Sequence, residues 1–94
     1  MSHEHIIEPF IAAGLLPALI EAARILSSAD GQGKHGEQGW RGVPSSELRE
    51  KARVHLEAFA TLDPDSGCES TAHALIRSAM LCTRALEIQG ENEQ

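Results

Sequence analysis

The sequence is short of aromatic residues, cysteines, positive charges and long apolar runs, and each shortage closes off a class of protein. The aromatics are Phe10, Trp40 and Phe59 alone, 3 % of 94 residues, so a core has to be built from Leu, Ile and Ala. Cys68 and Cys82 form no CxxC pair, which suggests neither a disulfide framework nor a cysteine zinc site. They read as ordinary thiols, expected to be buried as small hydrophobes. A secreted chain of this size normally carries several bridges, so such usage fits a reducing cytoplasm. Lys and Arg number 8 against 14 Asp and Glu, and the resulting charge of −6 argues against duplex nucleic acid, which is bound through cations that neutralise phosphates. No apolar run reaches the roughly 18 residues of a membrane span, and the N-terminal segment has neither the basic flank nor the apolar stretch of a secretory signal. The expectation is a soluble cytoplasmic protein with no membrane partner.

What is present is helical punctuation. The chain reads as a single helical domain, 1–94, of a size at which the buried fraction of the surface is modest and stability needs help from metals or partner chains. Residues 1–14 form an arm or short first helix, about His5 to Ala13, ended by Gly14. Pro17 is suited to open a second helix, which the spacing of Leu19, Ala22, Ala23 and Leu26 carries to about Ser28. Residues 29–44 hold Gly31, Gly33, Gly36, Gly39 and Gly42 and read as a loop, long enough for a functional role to be expected of it. After Pro44, Ser45 and Ser46 offer N-caps, Glu47 and Glu50 suit the helix dipole, and Glu47 to Lys51 is a supporting pair. That helix is expected to run to about Ala60 with Leu48, Ala52, Leu56 and Phe59 inward and His55 on the same side. Asp63-Pro64-Asp65-Ser66-Gly67 is a turn by its chemistry. A last helix follows from Cys68 or Ser70 to about Ile88, with Ala72, Leu75, Ile76, Ala79, Cys82 and Leu86 as its stripe and Met80 and Leu81 broadening it; 89–94 is a polar tail expected to fray. A stripe so broad is hard to bury within one chain. The fold class expected is all-α, a small antiparallel bundle of two or three main helices plus a short N-terminal helix, completed by homo-oligomerisation.

Chemistry gathers at one junction. Glu69 and His73 are four apart and share a helix face, and antiparallel packing of the flanking helices brings His55 toward the same end as His73. With Asp63 and Asp65 of the turn, such carboxylates and imidazoles are suited to Mg²⁺ or Mn²⁺. The competing structural roles are a core histidine at position 55, a solvated turn in which Asp65 caps the last helix, and a dipole role for Glu69. The glycine loop is the second candidate: Gly33-Lys34-His35-Gly36 and Gly39-Trp40-Arg41-Gly42 offer amides, cations and an indole to a nucleotide, against the alternative of a surface loop pinned by Trp40. Met1-Ser2-His3-Glu4-His5 is suited to adventitious chelation at most.

Pro17-Ala18-Leu19-Ile20-Glu21-Ala22-Ala23-Arg24-Ile25-Leu26, Gly33-Lys34-His35-Gly36, Gly39-Trp40-Arg41, His55-Leu56, Asp63-Pro64-Asp65-Ser66-Gly67 and Ala72-His73-Ala74 together resemble the phage and prophage family of dATP/dGTP diphosphohydrolase N-terminal domains. That family is similar to the MazG-like all-α nucleoside triphosphate pyrophosphatases. The resemblance implies an obligate helical oligomer that binds divalent metal and cleaves a purine deoxynucleoside triphosphate to monophosphate and pyrophosphate. It implies His55, Asp63, Asp65 and His73 as metal-site or catalytic residues, with His55 or a turn carboxylate such as Asp65 as base, and Lys34, Trp40 and Arg41 as the nucleotide-binding loop. The pattern departs from the family at His35, Gly39 and Ser70, where an aromatic, Asn and His are usual, and in a shorter stretch from His55 to Asp63. Glu47 and Glu50 reproduce Glu-x-x-Glu of the MazG-like group, but no Glu-x-x-Asp follows. The alternative reading is a non-catalytic phage or prophage helical oligomer that binds a nucleotide or a host protein.

Overall fold

The computed structural model describes residues 3–28 and 38–93, and within them the chain is all-α. Four α-helices follow in order, α1 His3–Ala12, α2 Leu16–Ser27, α3 Ser45–Glu57 and α4 Ser70–Glu93, with a 3₁₀ turn at Gly39–Gly42. None of them is long and apolar enough to cross a membrane. Lys34, His35 and the rest of 29–37 lie outside the described residues, as do Met1, Ser2 and the side chains of His3, Glu4 and His5.

Gly14 ends α1 as its spacing before Pro17 predicts. The Leu15 amide reaches the Phe10 carbonyl at 2.9 Å and the Gly14 amide the Ile11 carbonyl at 3.0 Å, a closure that needs the left-handed φ of +77° at Gly14. The helix it closes is weak, because Pro9 lies inside it and removes a backbone donor.

Helices α2 and α3 both pack on α4. The Arg84 guanidinium reaches Ser45 at one end of the α3–α4 pair, and the His73 ring stacks on His55 at the other, so the two helices run antiparallel. Small residues let the helices close up: Ala22 and Ile25 of α2 meet Cys68, Ala72 and Ile76, with Met80 against them. On α3, Leu48 is 2 % exposed and Ala52 is buried too.

Several expectations are corrected here. Leu56 and Phe59 are 56 % and 76 % exposed, because α3 stops at Glu57 and the chain turns away through a left-handed Ala60. Leu75, Ala79, Cys82 and Leu86 of α4 are exposed within the single chain, and the helix runs on through residues 89–93 to Glu93. Pro44, not a serine, is the N-cap of α3, and Ser45 accepts from Arg84 instead. The predicted Glu47–Lys51 pair is present at 3.3 Å.

Candidate functional site

The link between α3 and α4 is built around Asp63. One of its carboxylate oxygens, Oδ1, accepts the amides of Asp65 at 2.9 Å and Ser66 at 3.2 Å, which folds Asp-Pro-Asp-Ser-Gly into a tight turn. Gly67, at φ +71°, returns its amide to the Asp63 carbonyl at 2.8 Å. Beyond the turn, Leu62 and Glu69 form an antiparallel bridge, and the buried Ser70 hydroxyl donates to the Thr61 carbonyl at 2.8 Å. The α3 terminus is thereby held beside the first turn of α4.

This brings three of the sequence-predicted residues together. His55 stacks on His73 with ring centroids 4.7 Å apart and planes 17° from parallel. Behind His55, its Nδ1 faces Asp63 Oδ2 at 4.0 Å; behind His73, its Nε2 is hydrogen-bonded to the Ser66 hydroxyl at 2.7 Å. Ser66 Oγ also accepts the Cys68 amide at 3.2 Å, so its orientation is fixed from both sides. Burial lowers the His73 pKa, and the positive fields of His55 and Arg77 add to this, outweighing Asp63 and Asp65. In the Nδ1–H tautomer of a neutral His73, Nε2 accepts the Ser66 hydroxyl proton. For Asp63, burial raises the pKa, but the Ser66 and Asp65 amides and the two imidazoles outweigh it, and the carboxyl lies below its usual range.

Two predicted members stand apart. Glu69 caps α4: its carboxylate accepts the Thr71 amide at 2.6 Å, the Thr71 hydroxyl and, at 2.7 Å, the Ala60 amide. Bonding to Thr71 above all lowers its pKa. Asp65 is exposed and does not cap α4; it reaches the cluster only as a nearby charge that raises the His73 pKa. Among the described residues no group of three or more His, Cys, Asp or Glu stands where it could hold a metal ion. With Asp63 Oδ1 taken by amides, Glu69 by its capping bonds and His73 Nε2 by Ser66, the donors as arranged do not fit Mg²⁺ or Mn²⁺.

The described end of the glycine loop lies elsewhere. Trp40 is half-buried, with the Arg41 and Arg84 guanidiniums 4.7 and 5.5 Å from its ring. Arg41 is committed to Glu87 at 3.0 Å and to Gln38 at 2.9 Å. Arg84 bonds Ser45 and the Trp40 and Arg41 carbonyls, which pins the 3₁₀ turn to α3 and α4. Arg84 is about 16 Å along α4 from His73 at the usual helical rise, so Trp40 and the histidines form two patches.

Sequence reasoning missed Ser66 as the partner of His73, and missed Arg77 and Arg84 altogether. Arg77 was accessible to it: four residues after His73, it shares that helix face. Comparison of the chain with models of protein families, with curated proteins and with solved structures finds no match.

Proposed function

We propose that the chain is a nucleotide-binding hydrolase of the pyrophosphohydrolase type it resembles, acting on a purine deoxynucleoside triphosphate at the junction of α3 and α4. The observation that carries this reading is the stacked histidine pair, with a carboxylate behind one ring and a hydroxyl on the other. Hydrolysis of a phosphoanhydride needs a base for the attacking water and positive charge for the phosphates. His73, its pKa lowered by burial, is the base in this reading, with the water giving its proton to Ser66 Oγ as the Ser66 hydroxyl proton passes to His73 Nε2. His55 offers its ring N–H groups to the same site, with Nδ1 4.0 Å from Asp63 Oδ2. Trp40 and Arg41 contribute base stacking from the second patch if the loop lends Lys34 to the same ligand. The decisive experiment is release of pyrophosphate from each deoxynucleoside triphosphate, alone and with Mg²⁺ or Mn²⁺. Wild-type activity that His73→Ala and Asp63→Asn abolish with helicity preserved supports the reading. Absence of pyrophosphate from every nucleotide under every condition overturns it.

A second reading, an assembling helical binder without catalysis, is favoured by the apolar surface. Ile6, Ile7, Phe10 and Ile11 of α1 are 40–53 % exposed, and Leu15, Ile20, Leu26, Leu56 and Phe59 add to them. A second copy of the chain is the occupant this reading assigns to these apolar side chains, and its test is the oligomeric state.

A further inference from the structure

Arg77 is a cation that folding has taken partly out of water, with no partner among the described residues. It lies on α4 one turn beyond His73, and its Nε is buried without a hydrogen-bond partner there. The residue as a whole is half-buried. Burial pulls its pKa down; Glu47 and Asp63 act in the opposite sense from a distance. Neither carboxylate is its ion-pair partner. Glu47 is paired with Lys51 at 3.3 Å, and Asp63 is turned to the Ser66 and Asp65 amides and to His55. Arg84 and Arg41, on the same helix face and the neighbouring turn, are by contrast fully engaged.

A desolvated charge without a partner is expensive, and proteins normally pair it or hydrogen-bond it. No described residue supplies the missing partner, and a group from outside the chain that did so would be an anion. The planar guanidinium favours an oxyanion that can accept two parallel hydrogen bonds, such as a phosphate. The neighbour on the same helix face points the same way: His73, four residues before Arg77 and within reach of its field, has Nε2 bonded to Ser66 and keeps Nδ1–H as a donor for a phosphate oxygen.

We propose that Arg77 is an anion-binding residue, and that with His73 it forms a subsite for a phosphate or diphosphate group. The subsite stands on Arg77; only the further identification of that group as part of a nucleotide rests on the reading given under the proposed function. An arginine kept for a ligand is a burden on the unliganded fold, because replacing an unpaired desolvated charge by an apolar side chain of similar length is neutral or stabilising. Function and stability are therefore expected to move in opposite directions at this position.

The test is calorimetric titration of the full chain with inorganic pyrophosphate and, separately, with dATP, alongside thermal unfolding of wild type, Arg77→Met and Arg77→Lys. Pyrophosphate is expected to raise the wild-type Tm. Arg77→Met is expected to weaken pyrophosphate binding by about tenfold to a hundredfold, the range for a lost charge-assisted hydrogen bond, while its own Tm is unchanged or higher. Arg77→Lys, which keeps charge but not the fork, is expected to fall between. Wild type that binds pyrophosphate through Arg77 but ignores dATP upholds the subsite and removes the nucleotide. Wild type that binds dATP as well as Arg77→Met does overturns the subsite and leaves the nucleotide reading standing. Failure to bind either ligand overturns both, and unfolding of both variants makes Arg77 structural and overturns the subsite.

Discussion

His55 and His73 face each other as nearly parallel rings 4.7 Å apart, one from the last turn of α3 and the other from the first turns of α4. Each ring has a different second partner, Asp63 for His55 and Ser66 for His73. The half-buried His73 ring resists protonation, because burial disfavours its charged form.

Stability is expected to fall on acidification in two stages. His73 has a pKa below its ordinary 6.5, so below that value the unfolded chain binds more protons than the folded one, and stability is lost as pH falls toward the lowered value. Asp63 acts with the same sign at lower pH, below its ordinary 3.8. Urea unfolding from pH 7.5 downward checks this. His73→Gln should remove the upper stage and leave the lower; a wild-type midpoint that stays constant or rises between pH 7 and 5.5 contradicts the assignment.

Asp63 holds the turn through an oxygen that asparagine also possesses, and holds the histidines through a charge that asparagine lacks. Asp63→Ala removes the acceptor of two amides and is expected to cost about 1–3 kcal/mol. Asp63→Asn should cost less in stability but lose as much of any hydrolytic activity. Equal destabilisation by the two, measured by denaturant titration, would show that the amide bonds are not what the side chain contributes.

The histidine cluster was legible because two short-range rules converge on it. Turn chemistry located Asp63 to Gly67, and a short link between helices implied the antiparallel packing that puts His55 opposite His73. The capping bonds of Glu69 run to Thr71 and back to Ala60, and the second of these was not legible because it depends on how the chain leaves α3. The inward stripe of α3 failed at Leu56 and Phe59 for the same reason: periodicity says which side chains share a face, not where the neighbouring helix ends. The spacing from His73 could have singled out Arg77 but not its lack of a described partner, and nothing in a helical pattern marks Arg84 as the cation that pins the Trp40 turn.

Ala60 adopts φ 66°, a left-handed conformation that a side chain with Cβ tolerates poorly. Its amide is held there by Glu69 at 2.7 Å, so the strain belongs to the same link that positions the histidines. Ala60→Gly is expected to stabilise the protein by about 0.5–1 kcal/mol, the left-handed penalty reduced by the extra freedom glycine has when unfolded. At this chain length that is a rise of roughly 2–8 °C in Tm. A fall in Tm would mean that the Ala60 methyl contributes more by contact than it costs in conformation.

The apolar face of α1 is the remaining test, and it concerns assembly. A helix of ten residues with a proline inside it is marginal in water by itself, and every described side chain of α1 from Ile6 to Ala12 is exposed. Packing has to supply what propensity does not, and within the chain α1 receives little. Ile6, Ile7, Phe10 and Ile11 lie at the spacing of a single helical face, the form an apolar helix takes when it docks against another. Light scattering at micromolar concentration is expected to give at least a dimer of the 10.1 kDa chain. Ile7→Glu with Phe10→Glu should convert it to monomer and remove only the helicity of α1, since α2, α3 and α4 share a core without it. A wild-type monomer, or an assembly indifferent to both substitutions, would mean that α1 is held by something other than a second copy.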